Sequence, residues 1–195
     1  MTNMNKMKQL FLILVIVLSF GCGGPYYFDL YLEPQKVSDT EKINKILFVD
    51  DIKSNEAYWT QRMVFRESPY QVEYFTYKQW AKSSGEVIKD AAVLYYKNSL
   101  MFKKVIEEYS SIEPDIILKT NIYAIELFRS NREWNAHLAL DFEVIDKRTE
   151  KVILTYSFDR KKKIKGKKAR YLPEKISEIL QEELFKVTEM LKSKL

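Results

Sequence analysis

Along residues 134–144, the stretch WNAHLALDFEV, the side chains Trp134, Ala136, Leu138, Leu140, Phe142 and Val144 alternate with Asn135, His137, Ala139, Asp141 and Glu143. Successive side chains of a strand point to opposite faces, so this is a strand with one face in a core and the other in water. Asp146 to Glu150 turns the chain, and Val152, Leu154, Tyr156 and Phe158 alternate in a returning strand. The two read as a hairpin whose apolar face needs a second layer to cover it.

Two helices are available for that layer. Ser83 and Glu86 have the spacing of a capping box, and Val87, Ile88, Ala91, Leu94 and Tyr95 follow at intervals of three and four, which predicts a helix ending near Ser99. A longer helix closes the chain, with Pro173 in its first turn and an apolar stripe of Ile176, Ile179, Leu180, Leu184, Val187 and Leu191. The remaining apolar segments read as strands: Tyr26 to Leu32, Ile43 to Asp51, Thr60 to Arg66, Tyr70 to Tyr77, Phe102 to Ile106 and Ile116 to Phe128. Pro69 cannot donate a ladder hydrogen bond and falls in the turn Glu67-Ser68-Pro69. The expected fold is an α+β two-layer sandwich, a largely antiparallel sheet with two helices packed on one face.

The N-terminus follows different rules. Met1 to Lys8 holds two lysines and no acid, and Leu10 to Leu18 is unbroken apolar sequence, the n-region and h-region of an export signal. A membrane span needs about 20 apolar residues, and this run soon meets Gly21, Gly23, Gly24 and Pro25. Leu18-Ser19-Phe20-Gly21-Cys22 resembles the lipobox of bacterial lipoproteins, with Ser19 where the strictest form has leucine. Residues 1–21 are therefore read as a signal peptide, and 22–195 as one domain anchored through lipid, palmitate among the acyl groups, on Cys22. Cys22 is the only cysteine, so it has no internal disulfide partner, and lipidation accounts for its presence. Removal of Lys6 and Lys8 with the signal lowers the net charge from +5 to +3, which says little about partners. Gly23 is not aspartate, so inner-membrane retention is not signalled; the expected location is the outer membrane, with the domain facing the periplasm.

Catalytic chemistry is hard to find. The chain has no G-x-S-x-G elbow and no Gly-rich phosphate loop. The only histidine, His137, has no second soft ligand beside it in sequence and lies on the outward face of its strand, where it reads as a solvated surface residue. Asp50-Asp51 and Glu107-Glu108 are adjacent carboxylates that a strand would send to opposite faces. No enzyme class, cofactor or metal is expected, and an envelope hydrolase is the least favoured reading.

Eight of the eleven residues from Arg160 to Arg170 are basic. Nucleic acid is the usual partner of such a run, but an exported lipoprotein rarely meets it. The alternatives are contact with anionic lipid or an acidic partner surface, and a mobile, solvated loop between the last strand and Pro173; the loop is preferred.

The order of features resembles the ABC-type transport auxiliary lipoprotein family, lipid-anchored partners of transporters that contain mammalian-cell-entry (MCE) domains. The resemblance runs from Tyr26 to about Leu191. It rests on the aromatic opening Tyr27-Phe28-Asp29-Leu30, on Arg62-Met63-Val64-Phe65-Arg66, on Tyr70-Gln71-Val72-Glu73-Tyr74, and on Trp80-Ala81 before the first helix. The family commonly has proline shortly after that tryptophan and alanine, where this chain has Ser83-Ser84. The resemblance implies a non-enzymatic accessory in moving lipid or another hydrophobic compound between membranes, acting with an MCE-domain protein, its permease and its ATPase. It singles out Tyr27, Arg62, Arg66 and Trp80 as partner or family-motif residues. Trp80 also fits a core position, and Arg62 and Arg66 fit surface ion pairs. A second function remains open, that of a structural lipoprotein in outer-membrane or lipopolysaccharide assembly.

Overall fold

A computed structural model describes residues 24–33, 42–108, 111–130 and 133–195; the export signal and Cys22 lie outside the described residues. The elements in chain order are β1 (Tyr26–Phe28), β2 (Ile43–Val49), β3 (Lys53–Ser54), β4 (Arg62–Ser68), β5 (Gln71–Trp80), α1 (Ser84–Ser99), β6 (Phe102–Ile106), β7 (Ile116–Ser130), β8 (Glu133–Asp146), β9 (Lys151–Lys163) and α2 (Leu172–Lys192). Short 3-10 turns occupy Glu56–Tyr58, Lys165–Lys167 and Ala169–Tyr171.

β7 is the spine. Along one edge it pairs in succession with β2, β3 and β4, all parallel to it. Along the other edge it pairs over its whole length with β8, which pairs antiparallel with β9. β6 lies outside β2, β5 outside β4, and β1 outside β5. The long ladders are antiparallel as expected, but the sheet is mixed, because β1–β5, β2–β6 and the three pairings on one edge of β7 are parallel. Strand direction leaves no mark on side-chain alternation. The unbroken run Leu47-Phe48-Val49, buried throughout, is the composition of a strand covered on both faces, and such strands belong to parallel sheets.

Both helices cover one face. Ala136, Leu138, Leu140, Phe142 and Val144 of β8 are buried there, Leu138 and Leu140 with no exposure, each large side chain buried stabilising by about 1.5–3 kcal/mol relative to exposure. Trp134, at the start of the strand, is only partly covered. The capping box forms as spaced: Ser83 Oγ accepts from the Glu86 amide at 3.4 Å, and Glu86 Oε2 accepts from the Ser83 amide at 3.0 Å. Leu94 departs from the expected stripe and is exposed, because the buried stripe runs through Val87, Ile88, Ala91, Ala92, Tyr95 and Tyr96. That stripe brings Tyr96 against α2, where its hydroxyl donates to the Leu184 carbonyl at 3.4 Å. Val152 is exposed for another reason: an irregularity beside Val144 and Ile145 shifts the register of β9 and turns Ile153 inward instead.

Two other expectations are corrected. The first strand ends at Phe28 rather than near Leu32, since the Asp29 carboxylate captures the Leu30 amide at 2.9 Å and redirects the chain. The chain then runs along α2, with the Tyr31 amide donating to Ser177 Oγ at 3.1 Å, and buries Leu30 and Leu32 in the core. The basic run is not a loop throughout. Arg160 to Lys163 continue β9, because Arg160 and Lys162 reach carboxylates on α2: Arg160 pairs with Glu182 at 2.7 Å and Glu183 at 2.6 Å, and Lys162 with Glu182 at 2.5 Å and Glu178 at 3.2 Å. Ile164 and Ala169 are buried beyond it, so the segment is fastened at both ends.

Candidate functional site on the open sheet face

The face away from the helices carries the outward residues of β4, β7, β8 and β9, partly covered by the 3-10 turn Glu56–Tyr58. At its centre lies Glu126, only 2% exposed. Its Oε2 accepts from the Tyr58 hydroxyl at 2.6 Å and from Arg66 Nε at 2.7 Å, and its Oε1 faces His137 Nδ1 at 3.1 Å. The other ring nitrogen of His137 faces Asp159 Oδ1 at 2.9 Å. His137 is therefore not a solvated surface residue: its side chain is 12% exposed, held between carboxylates of β7 and β9. A neutral ring can donate to one of those acceptors, a doubly protonated ring to both.

Burial alone would push the Glu126 carboxyl up, but the hydrogen bonds from His137, Tyr58 and Arg66 outweigh it and hold the group below the ordinary glutamate range. Burial, reinforced by the bond to Glu126, pushes the Tyr58 phenol well above the ordinary tyrosine value. Both oxygens of Glu126 are thus committed. The arrangement ties a turn and four strands together across one face; it does not present a free acid or base. Among the described residues no group of three His, Cys, Asp or Glu side chains is placed to hold a metal ion.

A second buried carboxylate, Glu183 on α2, is fully covered and takes the Tyr156 hydroxyl at 2.5 Å, Arg160 Nη1 at 2.6 Å and Lys186 Nζ at 2.9 Å. Burial raises its pKa and the three donors more than reverse that, so it also lies below the ordinary range. A cleft of about 590 Å³ beside β2 and β7 includes Asp115 and Asp146. These two aspartates cap backbone amides, Asp115 that of Ile46 at 2.7 Å and Asp146 that of Thr149 at 2.7 Å.

The residues singled out by sequence separate into two sets. Tyr27 of β1 is in register with Gln79 of β5, and Gln79 with Arg62 of β4, so Tyr27, Gln79 and Arg62 form one row across three strands. Tyr27 and Arg62 are exposed in it, and the Arg62 guanidinium lies 4.4 Å from the centre of the Tyr74 ring. Trp80 and Arg66 stand apart from that row: Trp80 is completely buried, and Arg66 belongs to the Glu126 cluster. Sequence reasoning missed Glu126 and Glu183. The signal for Glu126 was its place in the otherwise apolar run Ala124-Ile125-Glu126-Leu127-Phe128, where a charge must find partners. The signal for Glu183 was its position beside Leu184 and one turn from Leu180 and Val187 in the apolar stripe of α2.

Fold and site together define an α+β sandwich with an open face of mutually paired charges. The family model of the ABC-type transport auxiliary lipoprotein component matches residues 28–184, and the chain belongs to that family. It is thereby an accessory lipoprotein of ABC-type transport. Among solved structures, the protein XCC0632 from Xanthomonas campestris, described as DUF330, superposes with a TM-score of 0.75 at 11% identity, covering 86% of this chain and 96% of that one. The hypothetical protein CT253 from Chlamydia trachomatis superposes with a TM-score of 0.53 at 6% identity, covering 78% and 98%. At these identities the likeness is one of fold. A search of curated proteins finds no match.

Proposed function

We propose that residues 22–195 form one domain, anchored through lipid on Cys22 to the outer membrane and facing the periplasm, that serves without catalysis as the auxiliary component of an MCE-linked transport system for lipid or another hydrophobic compound. Its permease and ATPase are separate chains, in keeping with the lack of a phosphate loop in this one. The observation that carries the reading is the row Tyr27–Gln79–Arg62. Two motif residues, 35 positions apart in sequence, stand exposed on either side of Gln79 in one row across three adjacent strands, an arrangement that core packing does not call for and that a docking surface uses. Among the described residues no helix is long and apolar enough to cross a membrane.

The test is co-purification from detergent-solubilised membranes. The wild-type chain is expected to capture the MCE-domain protein encoded near it, and Tyr27→Ala with Arg62→Glu to lose most of that capture while keeping its melting temperature. Equal capture by the double variant would remove the row from the docking surface. Capture of a lipopolysaccharide-assembly protein instead would favour the structural-lipoprotein reading.

A further inference from the structure

The strand directions show from which end of the sheet the chain enters β1. β1 is parallel to β5, with Tyr26 opposite Lys78, and β5 runs away from the turn it shares with β4 at Pro69 and Tyr70. Tracing the chain backwards from Tyr26 therefore leads toward that turn. Three residues, Gly23, Gly24 and Pro25, separate Tyr26 from Cys22, four steps along the chain with a reach of at most about 14 Å. From Arg62, in the neighbouring row, to Ser68 the strand advances about 20 Å. A lipidated Cys22 cannot stand clear of the β4–β5 turn.

The same end holds the basic segment. Arg66 is in register with Phe128, Phe128 with Asn135, and Asn135 with Lys163. The β4–β5 turn and the turn after β9 thus project from the same edge of the sheet. At the first, Tyr70 is 96% exposed. At the second, Lys165, Lys167, Lys168 and Arg170 are all exposed, on a turn with Gly166 at φ +70° and Lys167 at φ +50°. Among the described residues no carboxylate pairs with Lys165, Lys167 or Lys168. Two carboxylates at this end are already used, Glu67 by Arg129 and Glu133 by Lys163. The opposite end, around the β8–β9 turn, mixes Asp146 and Glu150 with Lys147 and Arg148.

We propose that this end is a docking surface for an anionic bilayer, with Tyr70 in the head-group layer and Lys165, Lys167, Lys168 and Arg170 against lipid phosphates. The inference rests on the lipidation of Cys22 proposed above. An exposed phenol suits the polar–apolar boundary, and clustered lysines are drawn to anionic leaflets. The short tether and the basic turn then act together, setting the domain upright with its open sheet face to the side.

The test uses the full chain, lipidated in cells. Cys22 is the only cysteine and acylation consumes its thiol, so Tyr70→Cys, Lys167→Cys and Arg148→Cys each supply one site for an environment-sensitive fluorophore. In vesicles of phosphatidylethanolamine and phosphatidylglycerol containing quencher lipids, labels at 70 and 167 are expected to be quenched and blue-shifted, and the label at 148 to report water. Replacing phosphatidylglycerol with phosphatidylcholine should relieve quenching at 167. Labels at 70 and 167 that stay in water on acylated, vesicle-bound protein would overturn the orientation alone, as would quenching at 148. Shielding at 167 only when an MCE protein is added would make the turn a protein contact and also overturn it. Wild-type protein that takes up the label at Cys22 and carries no acyl mass would overturn the lipidation reading as well.

Discussion

The hydroxyl of Tyr58 donates to the carboxylate of Glu126 across 68 positions of sequence, at 2.6 Å and out of contact with water. This bond fastens the 3-10 turn before β4 to the centre of the sheet. Tyr58→Phe should destabilise the domain by about 1.5–3 kcal/mol, the usual worth of a hydrogen bond to a charged group. Glu126→Ala should cost about 3–5 kcal/mol, because it leaves Arg66 uncompensated. Equilibrium denaturation of the two variants checks both, and an effect within ordinary surface scatter for Glu126→Ala would show the cluster to be incidental.

The acid limb of the stability profile follows from the same group. Glu126 and Glu183 have folded pKa values below their unfolded value of about 4.3. Their contribution is fully present above that pH and is lost as pH falls through the folded values. Tyr58 is displaced upward, so its contribution is present below the ordinary tyrosine pKa of about 10 and lost as pH rises beyond it. Melting temperature should be flat near neutrality and fall on both sides, and Glu126→Gln should flatten the acid side.

The basic run should divide in two. Arg160→Ser removes a partner of fully buried Glu183 and is expected to cost about 1–3 kcal/mol. Serine at Lys165, Lys167 or Lys168 should change stability by no more than about 0.5 kcal/mol each. Similar melting shifts for both groups would contradict the assignment of Arg160 to a packed strand.

Trp80 separates packing from docking among the family-motif residues. Among the described residues its indole N–H has no hydrogen-bond partner, so Trp80→Phe loses mainly volume, while Trp80→Ala should cost about 3–5 kcal/mol. Tyr27→Ala should leave stability nearly unchanged. If Trp80→Ala kept full stability but lost the MCE partner, Trp80 would belong to the docking surface instead.

The periodic elements were legible because their burial is periodic: β8, the α2 stripe and the capping box at Ser83 stand where alternation and spacing put them. What sequence hid was non-local. Nothing along the chain indicates that β2, β3 and β4 line one edge of β7, or that the outward-pointing His137 meets Glu126 and Asp159. Lys161 and Lys162 look alike in sequence, yet one lies 4.6 Å from the centre of the Phe128 ring on the open face and the other pairs with α2 on the opposite face. The row of Tyr27 and Arg62 depends on β1 pairing with β5, a long-range parallel contact that only the folded sheet reveals.

The proposed membrane attachment through Cys22 underlies both the proposed transport role and the proposed orientation of the domain, and intact-mass analysis of the protein from the membrane fraction tests it most directly. The expected species begins at Cys22, lacks residues 1–21 and carries the added mass of acyl chains; Cys22→Ala should abolish that species and release or misplace the protein. A mature chain that starts at another residue and carries no acyl mass would contradict the account.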